Sequence, residues 1–121
     1  SLTALLADLE SRGILDETLV VAVGEMGRTP KFENRGQSDG RDHWSYCFPC
    51  VLAGAGVRGG TVYGKSDKDA AWPVDRPVTC EDLACTIYEA LGIDPHGFIP
   101  DKLGRPVPLI DGGRALTELF G

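Results

Sequence analysis

The feature that most limits how this chain can fold is Thr18-Leu19-Val20-Val21-Ala22-Val23, a continuous and mostly β-branched run that stops on Gly24 and Glu25. A run without polar alternation reads as a strand covered on both faces, as in a parallel sheet under helices. Phe48 to Ala53 is a second such run, so the expected fold class is α/β with a mainly parallel sheet. Glu25 then stands at the C-terminal end of its strand, where the ligand sites of open α/β sheets gather.

The flanking segments supply helices and loops. Leu2, Leu5, Leu6 and Leu9 follow the i, i+3, i+4, i+7 spacing of an amphipathic helix, with Arg12 in its last turn and Gly13 placed for a left-handed cap. Thr79 caps a second helix with Glu81 and Asp82 in its first turn, close to a capping box; Leu83, Ile87, Ala90 and Leu91 form its buried stripe, and Gly92 ends it. Met26 to Ser45 lacks periodicity and reads as one long surface loop, polar from Lys31 to Asp42. GAGVRGG is a turn, Thr61-Val62-Tyr63 a short strand, and KSDKDAAWPVDRP another loop. The segment from Ile93 to Gly113, dense in Pro and Gly, should be irregular, with a helical turn over Arg114 to Phe120.

The 121 residues suit a single domain, and 25% charged content is ordinary for a globular chain. Because the sequence opens almost inside a helix, residues 1–121 read either as a small domain or as the back part of a longer protein. A sheet cut from its neighbours exposes an edge and apolar surface, so self-association is expected. A net charge of -6 without a basic run excludes sequence-independent nucleic-acid binding. No apolar run approaches the roughly 20 residues of a membrane span.

Two familiar patterns weaken on inspection. Gly54 to Gly59, GAGVRG, matches a dinucleotide fingerprint and is followed by Asp75 about twenty residues later, but Arg58 to Gly64 opens no helix to meet a pyrophosphate. Cys47-Phe-Pro-Cys50 runs into a strand rather than a helix start, which removes the usual cause of a reactive thiol. Cys80 and Cys85 project about 140° apart on their helix, a poor second pair for a zinc site. All four cysteines read as small buried residues. His96 reads as an exposed loop residue and Trp72 as a cover of the core.

A third constellation holds more chemistry. Glu25-x-Gly27-Arg28 and Gly40-Arg41-Asp42-His43-Trp44 flank the long loop between the two expected strands, and the loop can bring His43 back to Glu25. A carboxylate and an imidazole converging on one point suit a divalent metal, while Arg28 or Arg41 can hold a phosphate or sulfate oxygen through paired N–H donors. The plainer alternative pairs Glu25 with Arg28 or Arg41 and leaves His43 and Trp44 to hold the loop.

The linked patterns GEMGRTP, GRDHW, VLAGAGVRGGTVYGKSD, PVTCEDLACTIYEALGIDP and LGRPVPLIDGG resemble the C-terminal region of the bacterial domain of unknown function 1501 family, and the match runs in order over nearly the whole chain. The resemblance implies membership of the sulfatase and alkaline-phosphatase superfamily. That in turn implies an α/β sandwich around a mainly parallel sheet, with a divalent metal (Zn, Mn, Mg or Ca) at the strand ends and an anionic ester as substrate. The superfamily's strand-end Asp-His-Gly or Asp-Asn-Gly motif falls on Glu25-Met26-Gly27 and its later metal-binding histidine on His43. This gives Glu25, Asp42 and His43 as metal ligands and Arg28 and Arg41 as catalytic anion holders. Met26 departs from the pattern, because a thioether is a poor ligand for hard or borderline cations. The nucleophile of such enzymes comes from the N-terminal half, so the resemblance implies that residues 1–121 are a single domain that is the C-terminal fragment of a larger alkaline-phosphatase-like domain and carry at most half of an active site; it also implies export from the cell for many full-length members. If the lost ligand means lost catalysis, the fold is kept for binding.

Overall fold

The computed structural model describes residues 1–34 and 39–121. In chain order the elements are α1 (Leu2–Ser11), a 3-10 turn (Leu15–Glu17), β1 (Val20–Val23), β2 (Gly27–Arg28), β3 (Glu33–Asn34), β4 (Asp39–Gly40), β5 (His43–Trp44) and β6 (Cys50–Ala53). They continue with β7 (Lys65–Ser66), β8 (Pro73–Asp75), α2 (Cys80–Ala90), β9 (Phe98–Pro100), β10 (Pro106–Pro108) and a 3-10 turn (Thr117–Leu119). The chain divides into two compact units, one formed by residues 1–19, 53–61 and 78–121, the other by residues 20–52 and 62–77.

The expected mainly parallel sheet, and with it the alkaline-phosphatase-like α/β sandwich, is not what forms among the described residues. The strands pair two by two: β1 with β6, and in antiparallel fashion β2 with β5, β3 with β4, β7 with β8, and β9 with β10. The reason lies in the connections. A parallel pair needs a crossover of about a dozen residues or more, usually helical, whereas sixteen glycines and eight prolines punctuate this chain and close it into short hairpins. The apolar runs are also shorter than expected, beginning at Val20 and Cys50, and β1 ends exposed at Val23 rather than covered on both faces.

In the first unit, α1 closes with two reciprocal bonds, Ile14 N–H to the Leu9 carbonyl at 3.1 Å and Gly13 N–H to Glu10 at 2.9 Å, with Gly13 at φ +70. That is a Schellman cap, which needs glycine because the residue sits in the left-handed region. Arg12 lies just past the last turn, its Nε donating to Asp8 at 2.8 Å. The same cap ends α2 through Gly92 and Ile93.

At its start α2 has the expected capping box: Asp82 N–H donates to Thr79 Oγ1 at 3.0 Å and Thr79 N–H to Asp82 Oδ2 at 3.0 Å. The same Asp82 accepts from Arg114 N–H at 2.9 Å, Thr86 Oγ1 accepts from Leu116 N–H at 2.9 Å, and the Cys85 thiol donates to the Gly112 carbonyl at 3.6 Å. These bonds make the core of this unit. Cys85, Thr86 and Leu116 are buried, while Leu91 of the expected stripe is exposed. Gly113, at φ +74, lets the chain pass where a Cβ would lie 2.7 Å from Glu81. The Pro- and Gly-rich tail is not irregular throughout, since β9 and β10 form a hairpin. Its turn is held by Asp101, which accepts from Leu103 and Arg105 N–H at 2.8 and 2.9 Å.

In the second unit, the stretch from Met26 to Ser45 is a nested hairpin, β2 on β5 and β3 on β4, rather than one loop. The middle of the polar run, residues 35–38, lies outside the described residues. Gly27 is required here because a Cβ would stand 2.0 Å from the Cys47 carbonyl. The expected strand at Thr61 to Tyr63 is absent; the β7–β8 hairpin forms next to it instead.

Candidate functional site

Glu25 lies two residues beyond β1, exposed, as a strand-end carboxylate should. The chain then turns into β2, and its register places Arg28 directly opposite His43 of β5. Directly opposed residues share a face of the pair, so Arg28 and His43 stand on the same face of the hairpin, both exposed. The hairpin is closed by a reciprocal clasp: Thr29 N–H donates to the Asp42 carbonyl at 2.9 Å, and Asp42 N–H donates to Thr29 Oγ1 at 3.1 Å. Arg41, one residue earlier, places its guanidinium 5.6 Å over the Phe32 ring, an exposed cation–π contact of about 0.5–1 kcal/mol. The hairpin therefore gathers Arg28, Arg41, Asp42 and His43 in one arm.

Among the described residues no three His, Cys, Asp or Glu side chains stand together as a metal site would require. The cation opposite His43 is Arg28, a neighbour that repels a second positive charge. Met26 is 43% exposed and adds no hard donor. The four cysteines are all free, with Cys47 half-buried, Cys50 exposed, Cys80 exposed and Cys85 buried. Burial pushes the Cys85 thiol up, and the nearby Asp82 charge acts in the same direction.

The glycines of GAGVRG serve a turn. Gly54 has φ +77 and passes so close to the 3-10 turn that a Cβ would lie 2.1 Å from the Thr18 carbonyl, whereas Gly56 and Gly59 face open space. No bound phosphate is needed to explain Gly54.

An aromatic cluster went unread in the sequence. Trp72 is not a cover of the core but 48% exposed. It meets Tyr46 at 4.6 Å between ring centroids and Trp44 at 5.7 Å, the latter nearly perpendicular at 78°. The position of Trp72 follows from Asp67, whose carboxylate accepts from Ala71 N–H at 2.8 Å and whose own N–H donates to the Trp72 carbonyl at 2.9 Å. Trp44 is locked to the same loop, its indole N–H donating to the Ala71 carbonyl at 2.7 Å. No local signal announced it, because Trp44 and Trp72 stand 28 residues apart in the sequence.

No helix is long and apolar enough to cross a membrane, among the described residues. No curated protein and no solved structure matches the chain. The model of the protein family of unknown function DUF1501 matches residues 1–120, and the chain belongs to that family.

Proposed function

We propose that this chain recognises sulfate or phosphate esters at the β2–β5 hairpin, as the anion-holding part of a sulfatase- or phosphatase-like protein. The register pair of Arg28 and His43, with Arg41 on the same arm, carries this reading. Guanidinium groups offer paired N–H donors that match two oxygens of a tetrahedral anion, and Arg28 and Arg41 set two of them on one arm beside Asp42. The order of motifs around Glu25 and His43 supports the superfamily assignment.

Hydrolysis asks for more than this chain holds. A divalent metal, when bound, supplies polarisation of the ester oxygen, and it needs donors beyond Glu25, Asp42 and His43. Arg28 and Arg41 would orient the ester and offset its charge, and the nucleophile would come from outside residues 1–121. The second reading, a binding or surface protein without catalysis, is favoured by the lack of three grouped donors among the described residues. Purified protein supplied with Zn and Mn tests both, by plasma mass spectrometry and by release of nitrophenol from its phosphate and sulfate esters. Stoichiometric metal with turnover that falls in Arg28→Ala supports the hydrolase. Anion binding with neither metal nor turnover supports the binding protein, and loss of anion binding as well would overturn the proposal.

A further inference from the structure

We infer that the recess lined by Trp44 and Trp72 binds a saccharide ring carrying an anionic substituent. The recess has a volume of about 530 Å³ and is lined by Pro30, Lys31, Trp44, Lys68, Ala71 and Trp72, with Asp69 at its side. That volume lies within the roughly 300–1,000 Å³ of small-molecule sites. A tryptophan left half exposed forgoes the apolar burial that would otherwise drive it inward. Here the exposure is fixed rather than incidental, because the Asp67 turn holds the backbone at Trp72, whose ring packs against Trp44 and Tyr46, and the Trp44 indole N–H is bonded to the Ala71 carbonyl. Preorganised rings do not have to be ordered on binding.

The lining selects the ligand. Indole faces carry negative partial charge and receive the C–H face of a sugar ring, whose carbon-bound hydrogens are slightly positive. Nearly perpendicular rings would also suit a quaternary ammonium, but two ammonium groups against one carboxylate make this recess positive and turn such a cation away. Lys68 already pairs with Asp69 at 3.1 Å, while Lys31 has no carboxylate partner among the described residues and is the one placed to meet an anion. The Asp69 carboxylate accepts from hydroxyls, which a sugar supplies in abundance.

Both tryptophans of the chain line this recess, so its intrinsic emission reports the site without a label. The test is a fluorescence titration of the purified protein, metal-free, with glucose 6-sulfate, glucuronic acid, glucose and adenosine 5′-monophosphate. The expected result is a saturable change with the two anionic sugars, about tenfold weaker in Lys31→Ala and weakened by added salt, with glucose weaker still. Lys102→Ala, in the β9–β10 turn, leaves the affinity unchanged. Trp72→Phe keeps a ring and weakens binding, while Trp72→Ala abolishes it; Lys31 is exposed, so its variant reads the site even if the Trp72 variants unfold. No saturable change with any sugar, equal affinity for glucose and glucose 6-sulfate, tighter binding of the nucleotide, or an unaffected Lys31→Ala would each overturn the inference. Glucuronic acid carries no ester, and Lys31 and Trp72 lie outside the Arg28–His43 pair, so loss of its binding in Lys31→Ala separates this outcome from that of the ester reading.

Discussion

Gly54 and Gly59 belong to the same GAGVRG pattern yet stand in opposite situations. At Gly54 the backbone is left-handed and the carbonyls of Leu15 and Thr18 occupy the space of a side chain, while at Gly59 nothing lies within 4 Å. Gly54→Ala is therefore expected to lower the unfolding free energy by about 2 kcal/mol or more, the combined effect of strain and overlap. Gly59→Ala should stay within about 0.5 kcal/mol of the parent or gain slightly, because it mainly restricts the unfolded chain. Urea unfolding of the two variants checks this, and equal losses would contradict it. The same comparison explains why the motif misleads: its spacing is shared with a phosphate loop, but the demand for glycine here comes from a neighbouring turn.

At the scale of elements, α2 depends on its first turn. Thr79→Ala removes one half of the capping box and should cost about 1 kcal/mol, read as a shift of the denaturation midpoint at unchanged slope. Asp82 adds a pH dependence. Hydrogen bonds from the Thr79 and Arg114 backbone hold its carboxyl below the usual range, against a smaller opposing effect of desolvation. A group whose folded pKa is depressed contributes stability above its unfolded value, near 3.9, and loses it as pH falls through the folded value. The parent should thus lose stability more steeply than Asp82→Asn below about pH 4. Parallel curves for the two proteins would contradict this.

This helix was legible in the sequence because every cue is local: Thr79 three residues before Asp82, and Gly92 at the end. The helix α1, the strand-end place of Glu25 and the 3-10 turn near the C-terminus were legible for the same reason. Strand partners were not. Val20 to Val23 does pair with the other apolar run, Cys50 to Ala53, but the remaining strands close into short hairpins that no apolar run announced, and the pair is not extended into a larger sheet among the described residues. The Arg28–His43 pairing was half visible: the two motifs announced a shared site, but the antiparallel register that faces a cation with the expected metal ligand could be seen only in three dimensions. Trp72 was misplaced because a tryptophan's hydrophobicity says nothing of an Asp67 turn that holds it outward.

Among the described residues buried side chains are few, while Phe32, Val62, Leu103, Phe98 and Leu91 are well exposed, Val62 at 83%. Exposed apolar surface of this kind drives association, so residues 1–121 alone should show a concentration-dependent sedimentation coefficient; a single monomer species at all concentrations would count against it. The proposed function stands on anion binding by the β2–β5 arm. Its most direct test is a titration of the isotope-labelled chain with sulfate and phosphate at low ionic strength, followed through backbone amide shifts. Saturable shifts centred on Arg28, Arg41 and His43, and lost in Arg28→Ala, are predicted. Shifts elsewhere, or none at these residues, would contradict the claim.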